Sequence, residues 1–125
     1  MTATISVRYI ADDVAEAADF LVRHLGFELD TQTPVFAAVV KGDLKLLISS
    51  LTSAGGKPMS DGTSQAPGGW NRIMMTVDDI ESEVARLKTD GVSFRGDIVR
   101  GPAGALAVLD DPAGNPIELW EPAEH

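Results

Sequence analysis

The sequence contains no cysteine and only two histidines among its 125 residues. Without cysteine there is no disulfide framework, no zinc–thiolate site and no thiol nucleophile. His24 and His125 are too few for a histidine-rich metal site. Aromatic residues are also scarce, at two Trp, one Tyr and four Phe. The two tryptophans, Trp70 and Trp120, are therefore conspicuous as candidate contacts for a ligand.

Basic residues are outnumbered, with ten Lys and Arg against nineteen Asp and Glu, which gives a formal net charge of −9. Nucleic acids and anionic membranes are bound through patches of Lys and Arg, so we expect neither as a partner. No apolar run is long enough to span a bilayer, and "MTATISVRYIADD" has no basic segment typical of a signal peptide. We therefore expect a cytoplasmic protein.

Two stretches of the chain resemble each other. "SVRYIADDV" followed by "AEAADFLVRHLGF" covers Ser6–Phe27, and "RIMMTVDDI" followed by "ESEVARLKTDGVSF" covers Arg72–Phe94. Each reads as a strand, an Asp-Asp pair, an amphipathic helix, a glycine and a second strand. The aspartates are predicted to cap the two helices, an interpretation that we prefer to paired catalytic carboxylates.

The likeness continues beyond the helices, because Val35–Ser49 and Gly104–Glu121 both read as strand, glycine turn and strand. The sequence thus predicts an α+β fold of two βαβββ modules, residues 1–50 and residues 71–125. A connecting loop rich in Gly, Ser and Pro, residues 51–70, joins them. We expect one compact domain in which a curled mixed sheet surrounds a cleft, with the helices on its outer face.

The motifs "YIADDVAEAADFLVRHLGF", "VDDIESEVARLKTDGVSF" and "LDDPAGNPIELWEP" together resemble the vicinal oxygen chelate superfamily. This superfamily includes glyoxalase I, extradiol dioxygenases, fosfomycin-resistance enzymes and bleomycin-resistance proteins. The resemblance extends over nearly the whole chain and implies the fold. It implies no single activity, because this fold carries out unrelated functions.

The resemblance also implies where a metal would be bound in enzymes of the superfamily. Those positions map onto Ser6, Leu46, Arg72 and Glu118 of this chain. Divalent metals need about three imidazole or carboxylate donors, whereas this set offers one carboxylate and a guanidinium that repels cations. We therefore predict no metal, no other cofactor and no catalytic residue of the superfamily's usual kind.

Glu118 lies in the middle of the predicted last strand, where an unpaired carboxylate is costly to bury. We expect it to form an ion pair with Arg72, because breaking a buried pair costs about 3–5 kcal/mol whereas the intact pair is close to neutral. The alternative is a Glu118 side chain in open water at the mouth of the cleft.

Strand alternation predicts which side chains face the cleft. The predicted ligand-binding residues are Arg8, Phe36, Ala38, Leu46, Ile48, Met59, Trp70, Arg72, Met74, Glu118 and Trp120. The alternative is that their apolar members fill the core of a small barrel or a dimer seam. Trp70 either stacks on a planar ligand or anchors the loop to the sheet, and Met59 suggests a lid or a subunit contact.

The predicted function is that of a metal-free binding protein of the bleomycin-resistance type. It would confer self-resistance by sequestering an aromatic antibiotic or related natural product in a cleft at a homodimer interface. Bleomycin-like, enediyne and anthraquinone compounds are the ligand classes expected. Two alternatives remain: a lyase, isomerase or oxygenase that uses Glu118 as a base or metal ligand, and a regulatory or structural dimer with a filled cleft.

Overall fold

The computed structural model describes residues 5–124 and divides the chain into an N-terminal unit, up to Gly68, and a C-terminal unit, from Gly69 onward. Each unit contains one helix and one four-stranded mixed sheet, in the order strand, helix and three strands. The predicted α+β fold with two βαβββ modules is confirmed. The cleft stays a prediction.

The N-terminal unit is built around helix α1. Its elements are β1 (Val7–Ile10), α1 (Val14–Leu25), β2 (Glu28–Gln32), β3 (Phe36–Lys41) and β4 (Leu44–Ser49). Its sheet has the order β1-β4-β3-β2, in which β1 and β4 are parallel and the other pairs antiparallel. The buried face of α1, formed by Val14, Ala17, Ala18, Leu21 and Leu25, packs on β3 and β4.

The C-terminal unit repeats this plan. Its elements are β5 (Ile73–Thr76), α2 (Ile80–Thr89), β6 (Val99–Gly101), β7 (Gly104–Asp110) and β8 (Pro116–Pro122). The strand order is β5-β8-β7-β6, with β5 and β8 parallel. Helix α2 buries Ile80, Val84 and Leu87 and packs on β7 and β8.

The Asp-Asp pairs start the helices, as predicted. The Asp13 carboxylate accepts a hydrogen bond from the Glu16 amide at 3.0 Å, and Asp79 accepts one from the Ser82 amide at 3.1 Å. Such caps satisfy backbone N–H groups that have no partner inside the helix. Gly26, at φ 75°, ends α1 in the left-handed conformation that favours glycine.

One strand begins later than the repeat indicated. Immediately after α2, only Phe94 forms a bridge, to Leu109, and the strand β6 starts at Val99. Between them Gly96 adopts φ 91°, which interrupts an extended backbone. No helix within residues 5–124 is long and apolar enough to cross a membrane.

Candidate functional site

The predicted ion pair between Arg72 and Glu118 is present in the C-terminal unit. Glu118, in the middle of β8, is only 8% exposed, which excludes a position in open water. Arg72 directly precedes β5, the parallel neighbour of β8. Its Nε and Nη2 lie 3.0 and 2.9 Å from the same carboxylate oxygen, Oε1. The guanidinium thus neutralises the buried carboxylate.

The pairing is one-sided and leaves half of the carboxylate unused. Both Arg72 donors converge on Oε1, whereas no described residue donates a hydrogen bond to Oε2 of Glu118. An ionised carboxylate has lone pairs on both oxygens, and Oε2 is not enclosed by protein, so it can accept a hydrogen bond from solvent or from a bound molecule. Oε2 is therefore a natural acceptor for an N–H or O–H group of a bound molecule.

The ion pair is connected to Trp70 at the end of the connecting segment. Nη1 of Arg72 donates to the Trp70 carbonyl at 3.1 Å. The Trp70 side chain is 66% exposed, and one face of its ring lies 4.5 Å from the guanidinium carbon of Arg95. The indole thus presents apolar surface to solvent while its other face is held by a cation.

Two more predicted residues share the sheet face that carries Glu118. Met74 pairs with Glu118 across β5 and β8 and is 56% exposed. Trp120 pairs with Leu106 across β7 and β8 and is half-buried. The opposite face of this sheet packs on α2. Four residues on that face are fully buried: Ala107, Leu109, Ile117 and Leu119. The face away from α2 therefore combines apolar side chains with one paired carboxylate.

A glycine makes room for Trp120. A Cβ atom placed on Gly104 would lie 2.9 Å from Cη2 of the Trp120 ring and 2.3 Å from the Glu121 carbonyl oxygen. Gly104 also has φ 152°, which side chains rarely adopt. The indole of Trp120 therefore lies over bare backbone on β7.

In the N-terminal unit, Arg8 lies on the same sheet face as Phe36 and Ala38. Arg8 pairs with Leu47, which pairs with Ala38, and Phe36 pairs with Ser49. Nη1 of Arg8 donates to Oγ of the buried Ser49 at 2.7 Å. No described carboxylate forms an ion pair with Arg8, whose guanidinium lies against the backbone of Gly55 in the connecting segment.

The placement of Leu46 and Ile48 on that face was wrong. Both are fully buried and are in register with Val7 and Tyr9, so they lie on the face opposite to Arg8, against α1. The counterpart of Glu118 is Leu47, because Glu118 pairs with the second residue of β5 as Leu47 does with the second of β1.

The cause of the error is a difference in turn length. Lys45, the counterpart of Pro116, pairs with Val40 across four residues, whereas Pro116 pairs with Asp110 across five residues. Counting four residues from the glycine of each turn therefore reaches opposite faces of the two sheets. A one-residue slip in register always exchanges the faces of a strand.

The residues present do not fit a divalent metal. With Leu47 in place of Leu46, the mapped set still offers one carboxylate, and its Oε1 accepts from Arg72. The described residues contain no group of three His, Cys, Asp or Glu side chains able to hold a metal ion. His24 lies on α1 with its ring 5.1 Å from that of Phe20, and His125 is outside the described residues.

Met59 lies in an ordered turn of the connecting segment with its side chain exposed. Its amide donates to the Thr63 carbonyl at 2.9 Å, and the Thr63 amide donates to the Asp61 carboxylate at 2.9 Å. This hydrogen bond lowers the pKa of Asp61. A role for Met59 as a lid or subunit contact stays a prediction.

Sequence reasoning missed Arg95. Its guanidinium bonds to residues 15, 19 and 26 positions away in the sequence. No local spacing connects it to Trp70, so periodicity and motif analysis carried no signal for it.

The C-terminal unit thus carries an ion-paired carboxylate and the exposed ring of Trp70. The model of the glyoxalase/bleomycin resistance protein/dioxygenase superfamily matches residues 5–119, and the chain belongs to that superfamily. The chain matches no curated protein sequence.

Solved structures of the superfamily are similar over nearly the whole chain. A member from Sphaerobacter thermophilus DSM 20745 has 26% identity and a TM-score of 0.73, covering 97% of this chain and 98% of its own. TnmS3, an antibiotic binding protein from Streptomyces sp. CB03234, has 24% identity and a TM-score of 0.67, with coverages of 98% and 99%. Lactoylglutathione lyase from Agrobacterium tumefaciens has 19% identity and a TM-score of 0.73, with coverages of 97% and 94%. The last two likenesses show the fold alone.

Proposed function

We propose that this protein binds a bulky, partly aromatic small molecule without a metal ion and confers resistance by sequestering it. The observation that carries the proposal is the Arg72–Glu118 ion pair, which engages the carboxylate that enzymes of the superfamily use as a metal ligand. A guanidinium at that distance disfavours a second cation, because like charges in a partly buried site repel strongly.

The chemistry of the site suggests the kind of ligand. Oε2 of Glu118, in the C-terminal unit, suits a hydroxyl, amide or amine donor. In the N-terminal unit, described by itself, Arg8 suits an anionic or carbonyl oxygen. Trp70, Met74 and Trp120 offer apolar surface for aromatic rings. Phe36, Ala38 and Met59 remain proposed contacts. Aromatic natural products of the bleomycin, enediyne and anthraquinone types combine such groups.

The relatives are compatible with this proposal. TnmS3 is an antibiotic binding protein of similar fold and almost identical length. Lactoylglutathione lyase is an enzyme of the same fold, so the fold alone favours neither function. Binding is favoured over metal-dependent catalysis because the mapped positions offer one carboxylate, and that carboxylate is paired with Arg72. A homodimer and a cytoplasmic location belong to the proposal, since a chain of this size often gains stability by association.

The first experiment titrates the purified protein with a panel of these aromatic compounds and follows tryptophan fluorescence and the heat of binding. We expect saturable binding to at least one class and a weaker affinity for the Glu118→Gln variant, which loses the charge of the acceptor. Glu28→Gln is the matched control, because Glu28 is exposed on β2 and forms no ion pair with a described residue. A wild-type protein that binds none of the panel contradicts the proposal.

A second candidate function is metal-free acid–base catalysis. The observation that favours it is the free Oε2 of Glu118 beside a guanidinium, because such a carboxylate is able to accept a proton while Arg72 stabilises an enolate. The test is whether the wild-type protein converts a bound compound into a product. Conversion that is abolished in Glu118→Gln would favour an enzyme over a binding protein.

Metal content distinguishes the metal-dependent form of this alternative. The protein is purified without chelators and analysed by inductively coupled plasma mass spectrometry. About one equivalent of iron, manganese, nickel or zinc per chain, lost in Glu118→Gln, would overturn the metal-free assignment, because structural and catalytic sites bind in fixed stoichiometry.

A further inference from the structure

Arg95, between α2 and β6, has all three guanidinium nitrogens engaged by the C-terminal unit. Nε donates to Oδ1 of Asp110 at 2.7 Å, Nη1 to the Gly69 carbonyl at 2.6 Å and Nη2 to the Gly114 carbonyl at 3.0 Å. The Arg95 amide also donates to the Val108 carbonyl at 2.7 Å. Its planar fork is therefore fixed by three separate segments, which a lysine ammonium does not reproduce.

This fixed guanidinium lies under the ring of Trp70, with its carbon 4.5 Å from the ring centroid. One of its three hydrogen bonds goes to Gly69, the residue before Trp70, so backbone and ring are both held. Nη1 of Arg72 donates to the Trp70 carbonyl. An exposed indole at the end of a glycine-rich segment is thus restrained at three points.

The exposure of Trp70 separates this arrangement from an ordinary hydrophobic anchor. An anchor buries its ring against the sheet, as the half-buried Trp120 does. Trp70 instead leaves 66% of its surface in solvent although one face is covered by Arg95. A large apolar ring that is rigidly held and still exposed is typical of a contact surface for another molecule.

We propose that Arg95 is a positioning residue that holds the Trp70 indole as a stacking platform for planar neutral or anionic aromatic rings. This inference deepens the proposed function and rests on it for the ligand. The cation on the covered face draws electron density away from the open face, which disfavours a second cation there. The ligand ring that stacks on Trp70 therefore carries no positive charge.

The positioning role is tested without a ligand, by fluorine NMR of protein labelled with fluorotryptophan. Two resonances are assigned by Trp70→Phe, and that of Trp120 serves as an internal report on folding. In Arg95→Met we expect the Trp70 resonance to narrow and to move toward that of the free amino acid, while the Trp120 resonance stays in place. Arg95→Lys, which keeps the charge but not the fork, is expected to give a smaller change in the same direction.

Arg100→Met is the matched control, because Arg100 on β6 forms an ion pair with Glu81 of α2 and lies on the sheet face opposite to Trp120. We expect it to leave both resonances unchanged. Far-ultraviolet circular dichroism identifies any variant that fails to fold. If Arg95→Met fails to fold, the Trp70 resonance of Arg95→Lys tests the positioning role instead. An unchanged Trp70 resonance in the folded Arg95 variants overturns the positioning role.

The selectivity is tested by calorimetry with two flat probes, an anthraquinone sulfonate, which is anionic, and an aminoacridine, which is cationic at neutral pH. We expect wild-type protein to bind the anthraquinone sulfonate, and Arg95→Met to weaken that binding roughly three- to tenfold, as expected for loss of one aromatic stacking contact. The preference over the aminoacridine is expected to shrink in the same variant.

The outcomes separate this inference from the proposed function. Equal wild-type affinity for both probes overturns the selectivity while leaving the binding function supported. Binding of the anthraquinone sulfonate that is insensitive to Arg95→Met and to Trp70→Phe overturns the platform alone. Binding of neither probe contradicts the proposed function and the selectivity, whereas the fluorine spectrum still decides whether Arg95 positions the ring.

Discussion

At the scale of single residues, Glu118 shows how a charge persists on a buried strand. Two nitrogens of Arg72 converge on one of its oxygens, so the charge is compensated although the second oxygen is left without a donor. Burial of the pair gives little net stability, because desolvation offsets most of the Coulomb attraction.

A double-mutant cycle at this pair measures the coupling between the two side chains. Arg72→Met strands the carboxylate and is expected to lower the free energy of unfolding by about 1–3 kcal/mol. This is less than the cost of breaking a fully buried pair, because the Arg72 side chain is 27% exposed. Arg72→Met combined with Glu118→Gln is expected to recover most of that loss, because the uncompensated charge is gone. Urea denaturation of the four proteins at neutral pH is the measurement. Additive losses would mean that the pair is not coupled.

At the scale of elements, the β7–β8 hairpin depends on Gly104, where a side chain would clash with the neighbouring strand. Gly104 faces the Glu121 carbonyl and the Trp120 ring, and Gly101 pairs with it across the β6–β7 turn with free space around it. The two glycines are thus neighbours with opposite steric surroundings. Their contrast separates the contact from the conformational freedom that any glycine gives the chain.

We expect Gly104→Ala to destabilise the protein by about 1–3 kcal/mol, because the new methyl group must displace backbone or the Trp120 indole. Gly101→Ala is the matched control and is expected to change stability by less than about 1 kcal/mol. Thermal denaturation with near-ultraviolet circular dichroism measures both the stability and the order around Trp120. Equal effects of the two substitutions would contradict the steric explanation.

The connecting segment is another element whose order was not evident from its composition. Nε2 of Gln65 donates to the carbonyls of Gly55 and Lys57, both at 3.0 Å, and Oγ of Ser53 donates to the Ser50 carbonyl at 2.8 Å. Side chains thus satisfy backbone groups that have no strand partner. A segment rich in Gly, Ser and Pro is here folded on itself.

Gln65→Ala removes two of these hydrogen bonds. Each is worth roughly 0.5–1.5 kcal/mol, so local opening is expected to become several-fold more frequent while global stability changes little. Limited proteolysis followed by mass spectrometry locates the increased cleavage between residues 51 and 69. Ser64→Ala is the control, because the exposed Ser64 side chain makes no hydrogen bond to a described residue. Identical cleavage of the two variants would show that Gln65 does not hold the segment.

At the scale of the whole molecule, the acidic balance governs solubility and partners and not the fold. With a net charge of −9 and a pI near 4.4, the protein is expected to be least soluble near pH 4.4 and to associate reversibly there. Light scattering between pH 4 and pH 8 at constant ionic strength is the measurement. Aggregation that is independent of pH would point instead to exposed apolar surface such as Trp70 and Met74.

The sequence by itself determined the two βαβββ modules, the capped helices and the pairing of Arg72 with Glu118. The modules and the caps follow from local periodicity, from capping aspartates and from an internal repeat. The pairing follows from the positions that the superfamily resemblance implies and from the cost of burying an unpaired carboxylate. The position of Leu46 needed the tertiary structure, because two glycine turns of different length shift the register by one residue. Arg95 needed it as well, because a guanidinium that joins three distant segments leaves no pattern in the chain.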